Sequence, residues 1–263
     1  MTRAARRLAL PLAIALAALA LWDSFVVYPF RVFVVFLHEI SHGIAAVLTG
    51  GRIVAIGLTF DEGGVCVTDG GSRFVILNAG YLGSLLGGVL LLILGARAGR
   101  ARTLVSCVGV FTLAVTVLYI RTLFGIVYGV AAGATLLLAA AKLSLRVSQV
   151  LLATIGVVSC LYAVWDVASD VLLRDAAGSD ASALALLTGV PAVLWGAAWV
   201  AGSIAVLALA LRRLAAGPAL ALALLLLGPG PIHEGLSEGR SIRGMPGEAR
   251  YDRMGARGRT IQP

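Results

Sequence analysis

The chain has 263 residues, of which 60% are hydrophobic and 13% charged, against roughly 45–50% and 25% in soluble domains. A mean hydropathy of +0.98 implies more apolar surface than a core of this size can hide from water, so the solvent is lipid. That excludes a soluble enzyme, a disordered protein and a disulfide-rich secreted module. The formal net charge is +8, carried almost wholly by Arg placed between apolar runs, which suits membrane topology and anionic headgroups. No basic face with interleaved aromatics is present, so no nucleic-acid partner is expected.

The first apolar run, 8–28, follows Arg3, Arg6 and Arg7. Ala18-Leu19-Ala20 resembles a signal-peptide cleavage site, but the run continues with no polar mature start, so it reads as a span. A second run, 30–48, follows Pro29 and carries His38, Glu39 and His42. Residues 50–73 change texture: two alternating segments, 53–60 and 65–68, flank the turn Asp61-Glu62-Gly63-Gly64. This predicts a short β-hairpin, tolerated at membrane depth only where protein or a wet cavity covers it. Apolar runs then recur at 74–95, 103–120, 122–141, 147–168 and 183–211, with a short one at 214–228. From 229 the chain is polar, rich in Gly and Arg, and is expected to be a disordered tail. The expected fold is an all-α polytopic membrane protein of about seven helices (eight if 214–228 also crosses), with residues 1–228 as the membrane domain. The arginines divide evenly between the two faces, so charge does not orient the chain. Cys66, Cys107 and Cys160 are far apart and form neither a disulfide framework nor a thiolate metal site.

His38-Glu39-Ile40-Ser41-His42 is an H-E-x-x-H inside a span. On a helix, positions i and i+4 share a face, so both imidazoles reach one zinc ion. Glu39 lies beside that face, where it can hold a water at the metal and take its proton. Three ionisable side chains at membrane depth each cost roughly 2.5–3.5 kcal/mol on insertion scales unless they face a cavity, a partner or a metal. A hydrolytic zinc site wants three protein ligands and an open position. The remaining histidine, His233, lies in the tail, so the third ligand should be a carboxylate. Asp166 is the first choice, because about five turns of apolar helix precede it. Asp170, one turn on, is the second. Asp180 is the third candidate, but it also suits the N-cap of a helix beginning at Ala181, which is the preferred reading for it. Asp61, Glu62 and Asp69 read as hairpin turn residues.

The run HEISHGIAAVLTGGRI, the Gly-rich hairpin, Asn78-Ala-Gly-Tyr-Leu-Gly-Ser84, and the later blocks WDVASD and SDASALALLTGVPAVLWG resemble the site-2 protease family of intramembrane zinc metalloproteases. Within it, the likeness is to the short bacterial, peptidase M-fifty-B-like branch, over residues 30–88 and 162–196. The resemblance implies His38 and His42 as zinc ligands, Glu39 as general base and a carboxylate from a later span as third ligand. Better-known members carry that carboxylate as Asp followed by Gly, whereas Val167 follows Asp166 here. Asn78 could offer its amide to a substrate backbone or an oxyanion. The glycines around it suit close helix packing.

The function expected is therefore a zinc metalloendopeptidase of a bacterial cell membrane, hydrolysing peptide bonds in or near a transmembrane segment of a membrane protein or peptide. Such a segment must unwind to expose its carbonyls, and the hairpin could clamp it by adding a strand. The competing readings are a membrane metal-binding or transport protein and a catalytically idle scaffold.

Overall fold

A chain surrounded by lipid must satisfy its backbone hydrogen bonds within itself, and the described residues of this one do so with helices and a single hairpin. The computed structural model describes residues 3–95, 99–172 and 179–216. They belong to one unit, Met1–Gly228. The tail expected at 229–263, and the run 214–228 beyond residue 216, lie outside the described residues.

In chain order the elements are α1 (Arg3–Ala20), α2 (Tyr28–Leu48), β1 (Arg52–Leu58), β2 (Gly64–Asp69), α3 (Arg73–Gly95), α4 (Ala101–Tyr119), α5 (Leu123–Lys142), α6 (Leu145–Leu172), α7 (Asp180–Thr188) and α8 (Ala192–Ala216). Six of the described helices are long and apolar enough to cross a membrane: α2, α3, α4, α5, the first part of α6 and α8. The expected polytopic helical architecture with a hairpin after the H-E-x-x-H helix is thus borne out, with two differences in how the apolar runs divide.

The run 8–28 is not one helix. α1 ends at Ala20, and the apolar stretch Ala9–Ala20 is shorter than a span. Ser24 turns the chain by bonding back to Leu21 through both its amide and its hydroxyl. α2 then restarts with Pro29 in its first turn, where the missing N–H costs nothing. The run 183–211 is likewise two helices. Gly189 ends α7 in the left-handed conformation at φ 76°, and Pro191 cannot continue a helical ladder. Uniform hydrophobicity hid both breaks.

Lipid-facing positions stay apolar and exposed, as at Val117 and Leu123. Contacts between helices use small residues, because apolar burial gives little drive inside lipid. A Cβ on Gly129 would strike Thr116, and one on Gly133 would strike Leu113, so α4 and α5 meet through glycine. α3 approaches α6 in the same way: a Cβ on Gly88 would meet Ser159, and one on Gly156 would meet the Gly88 carbonyl. Hydroxyls in the spans bond back within their own helices, Thr116 to Thr112 and Thr112 to Val108.

The hairpin is antiparallel, paired from Arg52↔Asp69 to Leu58↔Gly64, with a bulge between Ile53 and Ala55. It is tied to the helices at its ends and its tip. The Ser72 amide donates to Thr49 Oγ1, which itself bonds back to Ala45 at the end of α2. Thr122, before α5, bonds both polar backbone atoms of Leu58. Tyr28 Oη donates to the Phe60 carbonyl, and Arg31 pairs with Glu62 at 2.9 Å.

Candidate metal centre

His38 and His42 sit near the middle of α2, and His38 is ten residues, about 15 Å, from the helix start. Their rings meet edge to face at 4.7 Å, as i, i+4 neighbours on one face must. His42 is buried, and its Nδ1–H donates to the Ile76 carbonyl of α3 at 2.7 Å. That bond fixes the tautomer and leaves Nε2 with a lone pair aimed away from Ile76. The edge of Tyr81 contacts the His38 ring at 4.7 Å, and Tyr81 in turn lies against Trp199 of α8 at 4.8 Å.

The carboxylate that faces this pair is Asp180. Its Oδ2 lies 3.2 Å from His38 Nε2 and 3.1 Å from His42 Nε2. Oδ2 is buried and, among the described residues, accepts no hydrogen bond. A buried, unbonded carboxylate oxygen costs free energy that something must offset. One ligand atom from each of His38, His42 and Asp180 lies within 4.8 Å of the other two. Two imidazole nitrogens from α2 and one carboxylate oxygen from α7 make a donor set of the kind that can hold a zinc ion.

Sequence reasoning held Asp180 as the last of three candidate ligands and preferred to read it as an N-cap. The structure gives that position to Ser179, whose side chain accepts from the Ser182 amide. Asp180 is the first residue of α7, free to turn toward α2. Asp166 and Asp170 fall on the backbone of α6, but their side chains lie outside the described residues. Among the described residues, the carboxylate that joins the histidine pair is Asp180.

Space for the centre comes from glycines on the facing elements. A Cβ on Gly80 would collide with Nε2 of both histidines, and one on Gly64 would collide with the Glu39 carboxylate. One on Gly83 would strike Ser41. The glycines of the 78–84 run thus let α3 close onto α2, the packing role read from sequence. Asn78 donates from Nδ2 to the Phe74 carbonyl and accepts from Trp199 Nε1 at 3.0 Å. Both ends of its amide therefore bond within the chain, linking α3 to α8.

A cavity of roughly 730 Å³ opens over the cluster, lined by His38, Glu39, His42, Tyr81 and Asp180, by residues 62–68 of the hairpin, and by Arg73. Glu39 is 6% exposed and reaches this cavity beside Gly64. Glu62, read from sequence only as a turn residue, also lines it. Glu62 takes a positive φ of 65° at the hairpin tip, and burial pushes its carboxyl up even though Arg31 draws it down. Neither Tyr81 nor Glu62 carried a sequence signal, because each enters the site through a contact distant in sequence. Cys66 lines the same wall, and burial raises its thiol to about 12, so it stays protonated and inert.

These features define a multi-pass membrane protein with a histidine–histidine–aspartate cluster able to hold a metal ion at the base of a cleft. A family model described as Peptidase M50B-like matches residues 11–210. The chain belongs to that family, and with it to the site-2 protease family. No curated protein and no solved structure matches the chain.

Proposed function

We propose that the chain is a zinc-dependent endopeptidase of a bacterial cell membrane that cleaves a transmembrane or membrane-proximal segment of another protein. The observation that carries this reading is the convergence of Asp180 Oδ2 on the two Nε2 atoms, with the Glu39 carboxylate in the same cavity. His38, His42 and Asp180 would hold the zinc. When bound, zinc supplies a Lewis acid that polarises the scissile carbonyl and acidifies water beside it.

The chain's own residues do the rest. Glu39 takes the proton of the attacking water and gives it to the leaving amine, acting in turn as base and acid. The His42–Ile76 bond fixes the direction of that imidazole, with Nε2 turned toward Asp180. Close packing of α2, α3 and the hairpin around the cavity limits water to what the cavity admits, which strengthens every charge interaction inside. A substrate helix must unwind before its carbonyls can enter, and β2 offers a place to hold it. β1 bridges Ile120 on its far side, so the free edge of the two-stranded sheet belongs to β2, whose residues line the cavity. Strand addition there would replace the hydrogen bonds that the unwound segment loses.

Zinc measured by elemental analysis, together with cleavage by detergent-purified protein, tests the reading. Wild type should carry about one zinc per chain. Asp180→Ala should lose it, while Asp166→Ala and Asp170→Ala keep it. Glu39→Gln should keep zinc and lose activity by roughly 10²–10⁴-fold. A wild type carefully prepared and still free of zinc would overturn the proposal.

A further inference from the structure

The direction in which β2 passes α2 sets how a bound chain would lie in the cleft. Gly64 stands against Glu39, Cys66 near Gly43, and Gly71 against Ala46, so strand and helix run side by side in the same sense. The catalytic groups therefore lie at the start of β2. From Gly64 to Thr68 the cavity wall continues along the strand, about 13 Å of extended chain. It then passes Gly70 and Gly71 and ends at Arg73, the first residue of α3. On the other side of the catalytic groups the hairpin contributes only Glu62 and Gly63. The cleft is lopsided, with one long arm.

The charges along it differ as well. Glu62 is already paired with Arg31. Arg73 is exposed, has no ion pair among the described residues, and is the only Arg or Lys lining the cavity. Its neighbours on the approach are glycines at positive φ, which leave the path from β2 to the guanidinium open.

We propose that Arg73 selects substrates by pairing with an acidic side chain held at the end of the long arm. An added strand pairs more stably antiparallel, so the substrate runs opposite to β2, with its N-terminal part toward Arg73. The acidic residue then lies about four or more positions before the scissile bond, since the extended wall from Gly64 to Thr68 separates the catalytic groups from the turn that leads to Arg73. A guanidinium recognises a carboxylate with two parallel hydrogen bonds. The substrate class is a membrane-proximal segment whose cleaved bond follows a short extended stretch begun by Asp or Glu. This rests on the peptidase reading above.

The test uses the full zinc-loaded chain in lipid nanodiscs with a randomised soluble peptide library, the cleaved bonds being read by mass spectrometry. Wild type should enrich Asp and Glu at those upstream positions by roughly three- to tenfold. Arg73→Lys should keep the preference, Arg73→Gln should abolish it, and Arg73→Glu should replace it with enrichment of Lys and Arg at the same positions. Zinc content of each variant reports that its site is folded. Cleavage without acidic enrichment, or enrichment that survives Arg73→Glu, overturns the inference and assigns Arg73 to lipid headgroups or solvent, leaving the peptidase reading intact. Absence of any cleavage above the Glu39→Gln control overturns both.

Discussion

An aspartate at the first position of a helix ordinarily serves the helix, facing its positive end. Asp180 is released from that task because Ser179 caps α7, and its carboxylate points instead at two imidazoles 138 and more residues away (180 − 42 = 138). His38, Glu39 and His42 could be read from sequence because their geometry is local: a spacing of four puts two side chains on one helical face whatever the rest of the chain does. The third carboxylate had no such signal. Depth within an apolar run favoured Asp166, yet depth says nothing about which helix end returns to the histidines. Nor did sequence indicate why Gly80 is glycine, beyond a general preference for small residues between helices. In the structure a Cβ at Gly80 overlaps Nε2 of both His38 and His42. Gly80→Ala should therefore lose zinc almost as completely as Asp180→Ala while keeping its helical circular dichroism. Elemental analysis of that variant checks the prediction, and full zinc occupancy would show that α3 can withdraw.

At the scale of elements, the hairpin was legible from its alternation and its Asp-Glu-Gly-Gly turn. Its attachments were not, since Thr49, Thr122, Tyr28 and Arg31 hold it through contacts distant in sequence. Those ties matter because the wall of the cleft is only a two-stranded ribbon, and an isolated hairpin is marginal in water. Successive prolines at Cys66 and Val67 separate its two roles. Backbone N–H groups alternate along a strand, so one substitution removes a bond to β1 and the other removes an outward donor. The variant that loses the outward donor should keep zinc and bind substrate peptide more weakly, with cleavage down by roughly 5- to 30-fold for one or two lost hydrogen bonds. Equal cleavage by both variants and wild type would remove strand addition from the mechanism. The helices show the opposite balance: their existence was plain, but the breaks at 21–27 and at 189–191 were masked by residues equally apolar on both sides. There a serine bonding back on its own turn, or one Gly-Pro pair, decides where a helix stops.

Across the whole molecule, the centre joins parts that the chain makes far apart. α2 supplies two of the proposed ligands, α3 orients one of them through Ile76, and α7 brings the proposed third while packed with Tyr81 and Trp199 in a shared apolar cluster. A metal that binds only this assembled arrangement stabilises it by mass action. Saturating zinc at a hundred times its dissociation constant should raise unfolding free energy by about 2.7 kcal/mol, and a strong chelator should remove that increment. Thermal unfolding of the purified chain with and without chelator measures it. Asp180→Ala should show no such difference.

The placement of Asp180 also bears on the order in which the protein is made. A ribosome delivers α2 early and α7 late, after four intervening helices and the hairpin have been inserted. On the proposed assignment, a nascent chain that already displays His38, Glu39 and His42 still lacks the last ligand, and a chain cut short before residue 180 never acquires it. Hydrolytic power would then switch on only when nearly the whole membrane domain is in place, so incomplete copies are harmless to their neighbours.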